Sequence, residues 1–236
     1  MAEKIFIYTH LGLGDAIICN GLVRNIVSRN QDVEHCIFSK SAYRDSLEFM
    51  YRDLANLKVF PLENDEEVRK HIRETNPRNL ISVGFNQLDV TTKRFDQSFY
   101  DQFGINFSER WDGFRADRDT EREKKLFNSL GLVEGQYVFI HDDRKRGYEI
   151  NRKNVVNEEM RIVTPEDFET SNLFDWCKVL EKAKELHFMD SCFKLLYDSI
   201  PGNQKMAFYH TYIRGNTNVN ITNSRKKFIV ITDNPY

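Results

Sequence analysis

The chain has little of what would settle its class at a glance. Its four cysteines, Cys19, Cys36, Cys177 and Cys192, are scattered, without the close pairs of a zinc site or the density of a disulfide framework. They are expected to be free thiols. No stretch approaches the roughly 20 apolar residues that a membrane span needs, and the opening MAEKIFIYTH has no apolar run behind a basic segment. The expectation is a cytoplasmic chain with no transmembrane segment. A formal charge of only -2 gives no global pull toward nucleic acid or an anionic membrane, so no nucleic-acid partner is expected and any anion site has to be local. His10, His35, His71, His187 and His210 show no H-x-x-x-H spacing, and neither a metal nor a cofactor is expected. Low-complexity tracts and short-period repeats are missing too.

What is present is alternation. Short β-branched and aromatic runs recur with helical stretches between them. Residues 4–9 (KIFIYT) read as a strand, followed by a glycine loop and a helix in which Ile18, Leu22 and Ile26 share a face. Further strands are expected at 34–39, 57–62 and 79–85, with helices at 42–52 and 66–74. Four βα units in succession argue for a parallel, doubly wound sheet. The pattern fails between residues 86 and 119. A helix at 120–130, with an acidic first turn and Gly131 behind it, then opens a second series. Its strands are expected at 136–141, 160–164, 185–189 and 205–209, and its helices at 172–184 and 191–200. The last apolar run, 228–232, reads either as an edge strand or as a tail returning to the first half. The fold class expected is α/β, with two Rossmann-like domains, residues 1–117 and 118–236, facing one another across a cleft.

Three segments could carry chemistry. Gly12 and Gly14 follow the first strand and let backbone approach a ligand closely, and the helix beginning near Asp15 directs free amides at it. The third small residue of a G-x-G-x-x-G fingerprint is replaced by Ile17, no ribose-binding acid ends the second strand, and the Lys-Ser/Thr of a P-loop is lacking. A dinucleotide or triphosphate site is thereby disfavoured. The bland account, in which Asp15 caps a helix and the glycines make a turn, stands about even with a functional one.

The second segment, His141-Asp142-Asp143-Arg144-Lys145-Arg146-Gly147-Tyr148, follows the strongest strand of the second half. Ligands of open α/β sheets bind beyond the carboxyl ends of strands, and arginines suit a diphosphate. Its position favours function over a solvated turn whose acids and arginines pair with each other. The third, Asp190-Ser191-Cys192, opens a helix whose amides could hold a phosphate, the bland explanation being that Asp190 or Ser191 is an ordinary cap. Cys192 has no identifiable nucleophile partners. Asp117-Arg118-Asp119 has a D-x-D pattern but no convincing strand before it, so a linker and helix cap accounts for it better than a metal site.

The segment HLGLGDAIICNGLVRNI resembles the first βα unit of heptosyltransferase-like glycosyltransferases of the GT-B type, whose signature is a G-D pair before an apolar helix. VFIHDDRKRGY and LFDWCKVLEKAKELHFMDSCFKLL resemble the donor-binding domain of the same group. The resemblance implies an inverting, metal-independent transfer from a nucleotide-sugar donor to a carbohydrate or glycolipid acceptor. Asp15 would match the proposed base, and Asp190-Ser191 the family's D-T/S-G segment, with Cys192 in place of the glycine. The diphosphate would lie on Arg144, Arg146 and the amides near Ser191, with Gly12, Gly14, His141, Asp142, Asp190 and Cys192 lining the substrates. Two other readings stay open: a noncatalytic nucleotide or sugar-phosphate binding protein, and a nucleotide-sugar epimerase.

Overall fold

A computed structural model of the chain describes residues 4–85, 94–157, 159–214 and 223–232. The chain divides into two compact units, Met1–Asp117 and Arg118–Tyr236. In the first, the order is β1 (Lys4–Tyr8), α1 (Leu13–Ile18), α2 (Asn20–Arg29), β2 (Glu34–Lys40), α3 (Arg44–Met50), β3 (Leu57–Leu62), α4 (Asp65–Thr75), β4 (Leu80–Ser82), α5 (Phe95–Asp101) and α6 (Glu109–Asp112). The sheet runs β3-β2-β1-β4 and every pairing is parallel, with Ile7 opposite Ile37 and Ile37 opposite Val59. β2 is buried over five consecutive residues, as a strand covered on both faces must be. One core layer gathers Tyr8, Leu11, Phe38 and Val68, with Phe6, Phe60, Ile72 and Leu80 against it. The Asn64 carboxamide caps α4 by accepting from Glu66 N and Glu67 N, both at 3.0 Å, beneath an acidic first turn.

The single helix expected after Asp15 is broken at Cys19. There the Ile18 carbonyl accepts from the Tyr100 hydroxyl at 2.7 Å, and Asn20 exchanges hydrogen bonds with the main chain of Arg115. Tertiary partners have replaced one turn of the helical ladder. Gly21 then lies so close to α6 that a Cβ would stand 1.9 Å from the Glu109 carbonyl oxygen, so no side chain fits.

The second unit contains α7 (Thr120–Ser129), β5 (Tyr137–Ile140), β6 (Arg161–Val163), α8 (Cys177–Lys182), β7 (Glu185–Phe188), α9 (Cys192–Ser199), β8 (Met206–His210) and β9 (Ile229–Ile231). Its five strands are ordered β6-β5-β7-β8-β9, again all parallel. The final run is therefore the edge strand of this sheet, and the alternative of a tail paired with the first half is set aside. The helix expected over 172–184 starts as a 3-10 turn, Leu173–Trp176, because the Asn172 side chain takes the Phe174 amide at 3.1 Å. The D-x-D residues resolve into a cap and a pair: Asp119 accepts from Arg122 N at 3.0 Å, and Asp117 holds Arg115 at 2.9 Å. All four cysteines are free. Among the described residues no helix is long and apolar enough to cross a membrane.

Candidate functional site

Each sheet has a point at which successive connections leave in opposite directions, so that the loops after two neighbouring strands part and leave a crevice. In the first unit this point lies between β1 and β4. His10, Gly12, Gly14 and Asp15 follow β1, and Val83, Gly84 and Phe85 follow β4. The two loops meet where His10 Nε2 lies 3.4 Å from the Gly84 carbonyl oxygen. The His10 ring stacks between Phe85 (centroids 4.7 Å apart, planes 5° apart) and Phe99 (5.5 Å). Gly84 adopts φ +80°, and a Cβ there would be 2.4 Å from the Phe99 ring, so both backbone and packing require glycine.

Gly12 caps α1, its carbonyl accepting from Ala16 N at 3.0 Å. A Cβ on Gly12 would come within 2.5 Å of Asp15 Oδ2, so the Asp15 carboxylate is folded back over the glycine and depends on it for room. Gly14 and Asp15 are half-buried in the first turn of α1. Burial, and after it the nearby Asp15 carboxylate, hold the Cys19 thiol well above its ordinary range. Cys19 is thus held protonated.

In the second unit the connections diverge between β5 and β7, and the two remaining predicted segments follow those strands. His141 N donates to the His187 carbonyl at 3.0 Å, and the His141 ring lies 4.6 Å from that of Phe193. Burial is the main cause that lowers the His141 pKa to about 4, so the imidazole is neutral at pH 7. Residues 143–148 form a tight hairpin. Asp143 and Tyr148 exchange main-chain hydrogen bonds at 2.8 and 3.0 Å, and Gly147 turns the chain at φ +76°.

This hairpin is heavily self-paired. The buried Asp142 carboxylate accepts from Ile150 N (2.9 Å) and Arg152 Nη2 (2.5 Å) and so ties the segment together. Arg144 faces Asp142 (3.6 Å), Glu149 (3.1 Å) and Glu166 (3.4 Å), and Arg146 pairs with Asp143. Ser191 caps α9, its hydroxyl accepting from Lys194 N at 3.4 Å. Cys192 is half-buried, and desolvation pushes its thiol up to about 11. It stays protonated, which disfavours a nucleophilic role.

Three features escaped the sequence. Arg214, just beyond β8, donates Nη1 to the Asp190 carbonyl at 2.7 Å and lies 5.3 Å from the centroid of Tyr148. His10 is a ring in an aromatic stack; its position after the first strand was the only available signal. The third is a buried chain in which His187 Nε2 meets Glu185 Oε1 at 2.5 Å and His187 Nδ1 meets His210 Nε2 at 2.8 Å. The alternation in ELHF and MAFYH places these groups on one sheet face, but nothing in the two strings says that the strands are neighbours. Among the described residues no group of three or more His, Cys, Asp or Glu side chains could hold a metal ion.

The architecture is that of an α/β protein with parallel, Rossmann-like sheets. No protein-family model and no curated protein matches the chain. Among solved structures it is similar to a family 9 glycosyl transferase from Veillonella parvula, with a TM-score of 0.64 and 13% identity over 99% of this chain and 88% of that one. It is also similar to the ADP-heptose lipopolysaccharide heptosyltransferase II of E. coli, with a TM-score of 0.54 and 11% identity over 97% and 90% of the two chains. An iron-containing dodecameric glycosyltransferase of enterotoxigenic E. coli aligns with a TM-score of 0.52 and 11% identity, over 96% of this chain and 64% of that one. At these identities the likeness is one of fold.

Proposed function

We propose that the chain is a glycosyltransferase that moves a sugar from a nucleoside-diphosphate sugar to a hydroxyl of a carbohydrate or glycolipid acceptor, with inversion and without a metal. The observation that carries the reading is a carboxylate and an anion-compatible crevice at the two sheet switch points. Asp15 lies folded over Gly12 in one, and the Ser191 helix start lies beside arginines in the other. Three solved structures of like fold are named as glycosyltransferases, which adds support.

In this reading residues 1–117 take the acceptor and residues 118–236 take the donor. Asp15 removes the acceptor proton as the hydroxyl oxygen attacks the anomeric carbon. Gly12 and Gly14 leave space for the acceptor. The bond to the diphosphate breaks with its electron pair on the departing phosphate, whose growing charge is stabilised by arginines and the first amides of α9. Arg144, Arg146, Asp190, Ser191 and Cys192 line the donor, with neutral His141 available for a hydrogen bond. Asp142 contributes by holding the 142–152 segment in shape.

The test is Asp15→Asn. Transfer from a panel of ADP-, UDP- and GDP-sugars should fall by about 10²- to 10⁴-fold, the usual share of a general base, while nucleoside diphosphate still binds. A variant that transfers at the normal rate removes Asp15 from the chemistry.

A further inference from the structure

We infer that Arg214 is the residue that seats the phosphoryl anion at the switch point of the second unit, with the first turn of α9 beside it and the Tyr148 ring beneath its guanidinium. The inference deepens the transfer reading, on which its biological meaning rests, by naming the cation that meets the diphosphate.

The electrostatic states of Arg144, Arg146 and Arg214 differ. Arg144 is met by three carboxylates among the described residues, and Arg146 pairs with Asp143. A phosphate approaching either must compete with acids already in place, and little net positive charge is left to attract it. For Arg214 no carboxylate lies within 4.0 Å among the described residues. Its hydrogen bond to the Asp190 carbonyl goes to a neutral acceptor and occupies one of five N–H donors, so the remaining fork is available for bidentate contact. Tyr148, half-buried at 5.3 Å, orients the guanidinium without neutralising it.

The position matches the charge. Asp190 immediately precedes Ser191, the cap of the eight-residue helix α9, so a guanidinium bonded to the Asp190 carbonyl stands next to that helix start. The first-turn amides of α9 have no main-chain acceptor within the helix, those of Cys192 and Phe193 facing the Cys192 sulfur, and the dipole there favours an anion. His141, Asp190 and Arg214 follow β5, β7 and β8, three adjacent strands of one sheet, so their loops emerge at the same edge.

Calorimetric titration of inorganic pyrophosphate into the full chain tests the assignment. Arg214→Gln should weaken binding by about tenfold or more, the scale of one lost charge-assisted contact. Arg214→Lys should recover part of the loss, and Arg144→Gln, whose charge is already met by three carboxylates, should weaken binding less than Arg214→Gln does. Tyr148→Leu, which leaves the charge but removes its support, should bind severalfold more weakly and provides a second measurement if Arg214→Gln fails to fold. The inference is overturned if Arg214→Gln binds like the parent, if Arg144→Gln shows the larger loss, or if the parent does not bind pyrophosphate. The two readings fail separately. Pyrophosphate held through Arg214 by a protein that transfers no sugar leaves this site standing and removes the transferase; transfer that survives Arg214→Gln does the reverse.

Discussion

The crevice of the first unit offers a carboxylate, two glycines and a histidine stacked between two phenylalanines, whereas that of the second is crowded with charge that is mostly cancelled on the spot. The contrast extends beneath the surface. The first unit buries a full ion pair, Asp96 with Arg110, both completely inaccessible, with the guanidinium lying over Trp111 at 4.9 Å. The second buries an acid–imidazole chain whose histidines are kept neutral. Number of charges is thus a poor guide to the net field that an anion would meet. The informative quantity is which charge lacks a counter-charge.

The sharpest way to break this comparison is to remove a partner from the buried pair. Arg110→Met leaves Asp96 in a site that excludes water, and loss of one member of a buried ion pair costs about 3–5 kcal/mol. Urea unfolding read from the first unit should show that loss, and Arg110→Met combined with Asp96→Leu should recover most of it. A single variant as stable as the parent would mean that the pair is not sealed from solvent.

Acid should act mainly on the other unit. Burial, reinforced by neighbouring His187, holds His210 neutral until about pH 3, and burial holds His141 neutral until about 4 and lowers His187 as well. In the unfolded chain each takes up a proton near pH 6.5, so below that value the unfolded state binds more protons and stability falls as pH falls. The slope approaches 1.4 kcal/mol per pH unit for each such group. The first unit has one such histidine, His35, lowered by burial. Each unit holds one of the two tryptophans, Trp111 and Trp176, so single-tryptophan variants report on them separately. Between pH 7 and pH 5 the urea midpoint seen by Trp176 should drop more than that seen by Trp111. Equal drops would sink the distinction.

Much of the fold could be read from residues because its strands are covered on both faces. KIFIYT, EHCIFS and QYVFIH are apolar runs of strand length; β1 and β5 lie within theirs, and β2 runs one residue further, to Lys40. The break at Cys19 could not be read, since the Tyr100 hydroxyl that claims the Ile18 carbonyl is 82 residues away. The order of strands escaped for the same reason, and with it the Glu185–His187–His210 chain. In the site, Gly12 and Asp15 were visible through the glycine loop. Arg214 was not: HTYIRG has no run of charge to draw attention. The charge-rich HDDRKRGY drew it instead, although its Asp142 bonds Ile150 and Arg152, eight and ten positions on, and serves the hairpin itself.

The smallest expected effect therefore belongs to one of the most conspicuous residues. Arg144 is half exposed and its three ion pairs, at 3.1 to 3.6 Å, lie where water screens them; such pairs contribute about 0–1 kcal/mol. Arg144→Gln should shift the urea midpoint by no more than that. Its removal also leaves Asp142 bound to Ile150 and Arg152, so the hairpin keeps its shape. A loss above about 2 kcal/mol would show that Arg144 holds the hairpin together, and would then assign to this arginine the structural role given above to Asp142.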